Sequence, residues 1–465
     1  MNVDGSGRLE IMRRLIKFLF EKLKREIIFA RIIFTLSACC MTTPLYAETK
    51  QITVSPLNPE TRLLRLLAQT AISRNPQLRE AEANWHASQL DTEDVRGARW
   101  PRLDLSGTSK AKQFGPSYPY VYGNGVQGRV GVTLTYTLFD GGKVDSQISS
   151  KSHQEQAELD KYYQTLGQTI FDTANAYLQI LKYRKLVDIN QQNAVRLAGL
   201  VNKMDEIVQA MGGRRSELTQ SISRLLQAKE NRADAESKLK EYEVQLVKLI
   251  GSENMSKTLD GKKPLIEPLT IEAALAAAKK SHPDLLAATE EQLAMKYSAS
   301  AIRKNNYWPV VEVQASKMSG TDTYGYTDSG EVYATIKLNA FQGFSGMSQE
   351  KAALARADAA QDKYDQSLVE IEYKLNSSWR DYQNQHDRVE SLRVLLVNTE
   401  QVRNDYYTQW ETLGKRSLLE LLTAENEYVA TMTSLITSEF DEQLALTRLR
   451  FESGTLAAWL LEDVK

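Results

Sequence analysis

Few side chains of this sequence are arranged for catalysis or metal binding. The four histidines lie far apart, and none forms the His-Glu-x-x-His pattern of a zinc enzyme: His86, His153, His282 and His386. Residues 123–128 fit the glycine spacing of a dinucleotide site, but a Tyr-rich loop precedes them and a strand pattern follows, whereas that site needs a strand and then a helix. No Gly-x-x-x-x-Gly-Lys-Ser/Thr phosphate-binding motif occurs. We therefore predict that the chain is not an enzyme and has no catalytic residue, cofactor or metal.

The charged groups with the most regular spacing lie in two similar motifs, about 200 residues apart. The first is Gly-Arg-Arg-Ser-Glu at residues 213–217, and the second is Gly-Lys-Arg-Ser at residues 414–417. A glycine followed by polar residues is typical of the turn between two helices. On the residues alone, each motif is consistent with an ordinary turn that has a solvated basic face.

Long helices must position these motifs. The eleven prolines leave residues 120–263 and 310–465 without any, and apolar residues recur there at three- and four-residue steps, as in Phe171, Ala174 and Leu178. A helix from Lys143 to about Ala210 would be roughly 100 Å long at the usual rise per residue. Such a length predicts coiled-coil packing between helices.

Two segments change to the two-residue period of strands. Apolar and polar residues alternate over residues 130–138 and 332–340, and each segment has a shorter strand-like partner upstream, at 103–107 and 311–315. Gly-, Tyr-, Ser- and Asp-rich loops join the members of each pair. The sequence therefore predicts two hairpins, or four strands per chain.

These features recur as two repeats. Asn75-Pro76 is matched by His282-Pro283, Trp-Pro at 100–101 by Trp-Pro at 308–309, and Phe-Asp-Gly at 139–141 by Phe-Gln-Gly at 341–343. Each half is predicted as helix, hairpin, very long helix, turn and helix. The predicted organisation is a signal peptide at 1–47, a first repeat at 48–250, a linker at 251–268, a second repeat at 269–455 and a C-terminal tail at 456–465.

The N-terminus has the pattern of a secretory signal. Basic residues precede a short apolar run at 32–41, and Leu-Tyr-Ala at 45–47 predicts cleavage after Ala47. The long leading part leaves open a start at Met12. Leu-Ser-Ala-Cys at 36–39 also resembles a lipoprotein signal, which would place a lipid on Cys39. Cleavage after Ala47 removes both cysteines and leaves a mature chain without disulfides or thiol chemistry.

Export and the strand pattern together indicate the outer membrane of a bacterium. Each strand has one apolar and one polar face, and aromatic residues flank them: Trp100, Phe139, Trp308 and Phe341. A soluble sandwich alternates in the same way, but the chain has no further strands to build one. Because an open sheet edge is not tolerated in lipid and four strands cannot close a barrel, we expect the chain to assemble with copies of itself. With 58 basic and 59 acidic residues, a nucleic-acid partner is not expected.

Leu-Phe-Asp-Gly-Gly at residues 138–142 resembles the corner between a barrel strand and a long helix in the TolC family of outer-membrane efflux and secretion channels. The resemblance covers essentially the whole mature chain. The second copy keeps Gly343 but has Phe344 in place of the second glycine, so its corner is expected to bend differently. The predicted barrel-to-helix corners are Phe139, Asp140, Gly141, Gly142, Phe341 and Gly343.

The resemblance implies a mainly α-helical fold with membrane β-strands. Three chains would form a twelve-stranded barrel in outer-membrane lipid, continued across the periplasm by a tunnel of helices. The implied partners are a periplasmic adaptor protein and an inner-membrane transporter, driven by ATP or by protons. The two turn motifs are similar to the family's turns at the periplasmic end of the tunnel, which implies four gate candidates: Glu420, Arg416, Arg215 and Glu217. Thr423 stands where the family can carry a second acid.

The predicted function is that of a passive exit channel for cargo delivered by these partners. The unlipidated signal and the Phe-Asp-Gly-Gly form favour type I protein secretion, and efflux of drugs or other small molecules is the alternative. A hypothesis of another class is an exported coiled-coil structural or adhesive protein without a pore. The alternating hairpins argue against that hypothesis, because a coiled-coil stalk does not need them.

Overall fold

A computed structural model describes residues 59–108, 128–211, 213–254, 264, 266–320, 328–412 and 414–461. All of them belong to Leu57–Lys465, which forms one compact unit. The predicted signal peptide, the cleavage after Ala47 and the possible lipid on Cys39 lie outside the described residues. So do residues 123–127 of the predicted hairpin loop and much of the linker at 251–268.

The described residues form thirteen elements, and the second half repeats the order of the first with one additional helix at its end. The first half contains α1 (Pro59–Arg74), α2 (Pro76–Gly97), β1 (Arg102–Thr108), β2 (Arg129–Phe139), α3 (Lys143–Met211) and α4 (Arg215–Ile250). The second half contains α5 (Ile271–Ser281), α6 (Pro283–Tyr307), β3 (Val310–Gly320), β4 (Asp328–Lys337), α7 (Ser345–Glu411), α8 (Leu418–Glu452) and α9 (Leu456–Leu461). The predicted long helix from Lys143 is therefore present. The predicted strand at 332–340 begins earlier and ends at Lys337.

Each half begins with two helices where the sequence predicted one. Both breaks lie at the repeated X-Pro pairs, because proline is favoured in the first helical turn but not inside a helix. Asn75 caps α2 by accepting the backbone N–H of Gln77 through its side chain. His282 caps α6 in the same way, and its Nδ1 accepts the backbone N–H of Asp284.

The four strands form one antiparallel sheet in the order β1-β2-β3-β4. The predicted hairpins are β1–β2 and β3–β4, and the β2–β3 pairing joins the two halves across the middle of the sheet. One row of the register aligns Leu103, Leu134, Ala315 and Val332. Apolar side chains therefore share one face, as the alternation predicted.

The two faces of the sheet differ in chemistry. On the apolar face the side chains are largely exposed in the single chain, and Ile336 is 72% exposed. On the other face polar groups pair with one another, and the Nζ of Lys337 lies 3.4 Å from the Oε2 of Glu312. The hydroxyl of Tyr333 similarly donates to Gln314 over 2.5 Å. An exposed apolar face opposite a paired polar face is typical of a wall between lipid and water.

The helices pack as hairpins around three apolar clusters. The largest surrounds Tyr177 on α3 and includes residues of α1, α4, α8 and α9. The second lies near the two turns, where Met204 and Trp410 are buried, and the third joins α5, α6, α7 and α8. α9 occupies the start of the predicted tail, and its Leu460 carbonyl accepts a bond from the Nε of Arg65 over 2.6 Å. In the part of the chain that is described, no helix is both long and apolar enough to cross a membrane.

A pair of substitutions on β4 tests the two faces of the sheet. Ile336→Arg places a charge on the apolar face, and we expect it to reduce assembly in the membrane by roughly 2 to 4 kcal/mol if the site lies near the bilayer midplane. Lys337→Glu, on the neighbouring position and opposite face, should assemble normally. The measurement is the amount of heat-modifiable oligomer in an outer-membrane fraction, and equal tolerance of both changes would refute the assignment of faces.

Candidate functional site

The turn between α7 and α8 is built around a capping box. The hydroxyl of Ser417 accepts the backbone N–H of Glu420 at 3.3 Å, and Oε2 of Glu420 accepts the backbone N–H of Ser417 at 2.9 Å. Such reciprocal bonds satisfy two backbone donors that a helix leaves unpaired at its start. Gly414 has a φ of 59°, the left-handed conformation in which a helix commonly ends. The turn therefore holds Glu420 in a defined position.

Arg416 binds the same carboxylate. Its Nη1 donates to Oε1 of Glu420 at 2.6 Å, and its Nε donates to the side chain of Gln409 at 3.2 Å. The guanidinium also lies 4.4 Å from the ring centre of Tyr406, a cation–π geometry. The backbone N–H of Ser417, and then Arg416, lower the pKa of the Glu420 carboxyl because both stabilise its charged form. The structure thus brings together two of the four predicted gate residues.

The turn between α3 and α4 has a different arrangement. Arg214, with a φ of 62°, pairs with Glu217 at 2.9 Å, whereas the side chain of Arg215 is exposed and has no partner among the described residues. Oε2 of Glu217 is buried and accepts no hydrogen bond within the described part of the chain. Arg214, which the sequence analysis did not select, is therefore the basic partner at this turn.

An ion pair joins the two halves of the chain just before the turns. The ammonium group of Lys203 on α3 binds the carboxylate of Glu411 on α7, and it donates to the hydroxyl of Tyr407 at 2.7 Å. These contacts raise the pKa of the Lys203 ammonium, with the Glu411 hydrogen bond as the largest cause. The last turns of the two longest helices are thus linked by charge.

A second ion pair between the halves is more buried than the one between Lys203 and Glu411. Glu425 on α8 is only 6% exposed and binds the guanidinium of Arg196 on α3. Arg403 on α7 lies 3.9 Å from its other oxygen and stacks on Tyr428 at 4.1 Å. Three helices from both halves therefore share one carboxylate. Burial makes each group in such a cluster costly to leave unpaired.

The sequence analysis did not identify either ion pair, and the reason is physical. Lys203 and Glu411 each lie within about three turns of a motif glycine, so their proximity to the turns was readable from the repeat. Their contact with each other depends on how α3 packs against α7, which the sequence does not state. Nothing in the local sequence separates the buried Glu425 from the exposed acids around it.

At the first predicted barrel-to-helix corner, between β2 and α3, Asp140 accepts two backbone hydrogen bonds. Its carboxylate takes the N–H of Gly142 at 2.8 Å and that of Val144 at 2.6 Å, which caps the start of α3. Gly141 and Gly142 have φ values of 67° and 78°. A Cβ at Gly141 would lie 2.4 Å from the Cβ of Trp308, so only glycine fits. Phe139 completes the corner by packing edge-on against Trp308, at 6.1 Å between ring centres.

The second corner has left-handed backbone at the same two positions as the first. Gly343 has a φ of 59° and Phe344 a φ of 66°, so a phenylalanine adopts the left-handed conformation of the missing glycine. Phe341 and Phe344 pack edge-on at 5.4 Å. Gln342 replaces Asp140, and α7 has no side-chain cap. The second corner keeps the left-handed backbone but lacks the capping bonds.

Metal ligation is not indicated by the side chains within the described ranges. No group of three or more His, Cys, Asp or Glu residues there is arranged to hold a metal ion. The ring of His153 stacks on Tyr297, and its Nδ1 lies 2.6 Å from Oε2 of Glu290. The Nδ1 of His386 lies 2.7 Å from Oε1 of Glu442. These histidines take part in helix-to-helix contacts.

Comparison with known proteins supports the sequence resemblance. Residues 67–252 match the sequence model of the outer membrane efflux protein family. The chain is 21% identical over 336 residues to the outer membrane efflux protein BepC of Brucella suis, covering 71% of this chain and 73% of that protein. The chain is therefore similar in sequence to outer membrane efflux proteins, over residues 67–252 for the family model and over 336 residues for BepC.

Solved structures share the fold. A membrane protein from Pseudomonas aeruginosa superposes with a TM-score of 0.76 at 18% identity, covering 85% of this chain and 90% of that one. The CmeC outer membrane channel of Campylobacter jejuni gives a TM-score of 0.73 at 15% identity, covering 85% and 86%. The predicted resemblance to TolC-type channels is confirmed.

The sequence similarity to efflux proteins indicates the broad function. The protein is an efflux channel of the outer membrane, its helical part lies in the periplasm, and it is a transport protein rather than an enzyme.

Two matched glycine substitutions test the first corner. Gly141→Ala and Gly343→Ala both place a side chain on a left-handed backbone, at a cost of about 1 kcal/mol each. Only Gly141→Ala also collides with Trp308, since a Cβ at Gly343 meets no atom within 4 Å. We expect Gly141→Ala to lower the thermal unfolding midpoint of the detergent-solubilised protein clearly more than Gly343→Ala does. Similar midpoints would show that the contact with Trp308 does not constrain the corner.

Proposed function

We propose that three copies of this chain form one exit channel, with twelve strands closed into a barrel in the outer membrane. The observation that carries this proposal is the four-stranded sheet with an exposed apolar face and with β1 and β4 as its outer strands. Unpaired strand edges are not tolerated in lipid, and four strands are too few for a barrel. The helices continue the channel into the periplasm, where an adaptor protein and an inner-membrane transporter, driven by ATP or protons, deliver cargo.

The end of the helical part that carries the two turns is the proposed gate. Its support is that two ion pairs hold the halves together close to the turns, Lys203 with Glu411 and Arg196 with Glu425. In a trimer, three Glu420 carboxylates would surround one axis, and a narrow entrance would strengthen their field and favour cations. Arg416 neutralises this carboxylate while the gate is closed.

Small-molecule efflux is the cargo class that the relatives favour, because BepC is named an efflux protein. Type I protein secretion, favoured by the Phe-Asp-Gly-Gly corner, is the second candidate. The two differ in a growth assay: deletion of the gene should raise sensitivity to toxic small molecules in the first case, and should abolish secretion of a protein into the medium in the second. Expression of the intact gene must restore the lost property, and a deletion strain with neither defect would contradict both assignments.

Substitutions at the second turn test the gate. Arg416→Ser removes the cation bound to Glu420, and we expect higher resting conductance and stronger cation preference in planar-bilayer recordings. Glu420→Gln should weaken cation preference, and glutamine preserves the capping box because it can also accept the Ser417 N–H. The double variant should combine raised conductance with weak cation preference.

The control is Arg388→Ser, which removes an exposed arginine of α7 away from the turn. It should leave conductance and selectivity unchanged. If Arg416→Ser and Glu420→Gln behave like this control while their trimers remain intact, the constriction lies elsewhere in the channel.

A further inference from the structure

A cavity of about 470 Å³ lies in the wall of the helical part, away from the corners and turns. It is enclosed by α3, the α5–α6 junction, α7 and the α8–α9 junction. Part of its wall is apolar and is formed by Leu166, Leu286, Phe451 and Leu456. Phe451 is held in place by stacking on Phe171, with 5.0 Å between ring centres. Its volume lies in the range of pockets that hold drug-sized molecules.

Three carboxylates line this cavity without a cation of their own. Asp160, Asp284 and Glu452 form no ion pair within the described part of the chain. Lys374 is the one lysine or arginine in the described lining, and its ion pair is with Glu370, outside the lining, at 2.8 Å.

Desolvation is the largest effect on the pKa of Asp284 and Glu452 and raises both, whereas the charge of Lys374 lowers both and Arg448 lowers that of Glu452. Burial raises the pKa of all three carboxyls, that of Asp160 to about 6, because desolvation disfavours their charged forms. A bound cation would stabilise those forms.

His282 contributes a hydrogen-bond donor to the same cavity. It is 94% buried, and its Nδ1 accepts the backbone N–H of Asp284, so the neutral ring carries its proton on Nε2. Among the described residues none forms a hydrogen bond with Nε2. Burial lowers the pKa of His282 to about 4, and the ring is therefore neutral near pH 7. The unpartnered Nε2–H is available to an acceptor in the cavity.

The first repeat shows what is different here. Its capping residue, Asn75, makes the same contact with its own helix, but its side-chain amide also donates to Thr169 of α3 at 2.7 Å. The oxygen and the nitrogen of that amide therefore each have a hydrogen-bond partner. In the second repeat the corresponding donor, on His282, has no such protein partner. The unsatisfied donor belongs to the second repeat alone.

We propose that this cavity binds an amphipathic organic cation. The positive group would lie beside Asp160, Asp284 and Glu452, none of which forms an ion pair among the described residues. The apolar body would pack against Phe451 and Leu456, and His282 would donate to an acceptor on the ligand. The inference assumes no particular cargo of the channel. It is also independent of the proposed gate, because none of the residues that carry it belongs to the gate.

Equilibrium dialysis with the full-length, detergent-solubilised oligomer tests the proposal. The probes are 1-naphthylmethylammonium and the uncharged 1-naphthylmethanol, which share one ring system and differ in charge. We expect one ammonium probe per chain, bound about tenfold or more tightly than the alcohol. Equal affinities, or no binding of the ammonium probe, would overturn the proposal.

Three variants make the test specific. Asp284→Asn combined with Glu452→Gln should lower the affinity for the ammonium probe about tenfold or more and leave the affinity for the alcohol unchanged. The double variant should keep its thermal stability, because it removes two partly buried charges that have no ion pair. Asp358→Asn, an exposed acid of α7 outside the cavity, is the matched control and should change neither affinity. Ala457→Phe fills the cavity and should abolish binding of the ammonium probe. Undiminished ammonium binding to either cavity variant would place the probe elsewhere and refute the proposed site.

Discussion

The antiparallel pairing of β2 with β3 is the constraint on which most other contacts depend. It joins the last strand before one long helix to the first strand of the second repeat, and so sets the two halves side by side. The first corner then meets Trp308 of the second repeat, through Gly141 and Phe139. From that corner α3 runs beside elements of the second half as far as Lys203 and Glu411.

Charge has a different role at each level of this wall. On the polar face of the sheet, Arg102 pairs with Asp104 and Lys337 with Glu312, so charges there are largely matched in pairs. Near the turns, Glu425 is buried and shared by two arginines, an arrangement that links three helices. At the turn itself Glu420 and Arg416 remain partly exposed, where solvent weakens their attraction. An exposed pair is easier to separate than a buried one, which is consistent with the proposed gate.

The two repeats have diverged at equivalent positions. Asp140 caps the first long helix, whereas Gln342 does not cap the second, and Phe344 adopts a backbone conformation that costs little only for glycine. Asn75 satisfies its side chain within the protein, whereas His282 leaves a donor facing a cavity. Duplicated halves share one backbone plan, but each packs against different neighbours. Equivalent positions of the two repeats can therefore carry different side chains where their packing neighbours differ.

The sequence by itself determined the repeat, the long helices, the four strands and the alternation of their faces. These properties follow from local spacing: proline ends or begins helices, and periods of two and about 3.6 residues define strands and helices. The glycine corners and the second turn were also readable, because left-handed backbone and capping require particular residues at fixed positions. The break of each leading helix at an X-Pro pair was readable in principle, although a single helix was predicted.

Only the tertiary structure decided which distant groups meet. The contact of Lys203 with Glu411, the burial of Glu425 and the cavity around His282 each combine residues from helices far apart in sequence. Whether a carboxylate is paired, buried or left without a cation depends on which helix faces it, and local spacing carries no information on that. The left-handed backbone at Phe344 was also not readable from sequence, because phenylalanine by itself disfavours that conformation.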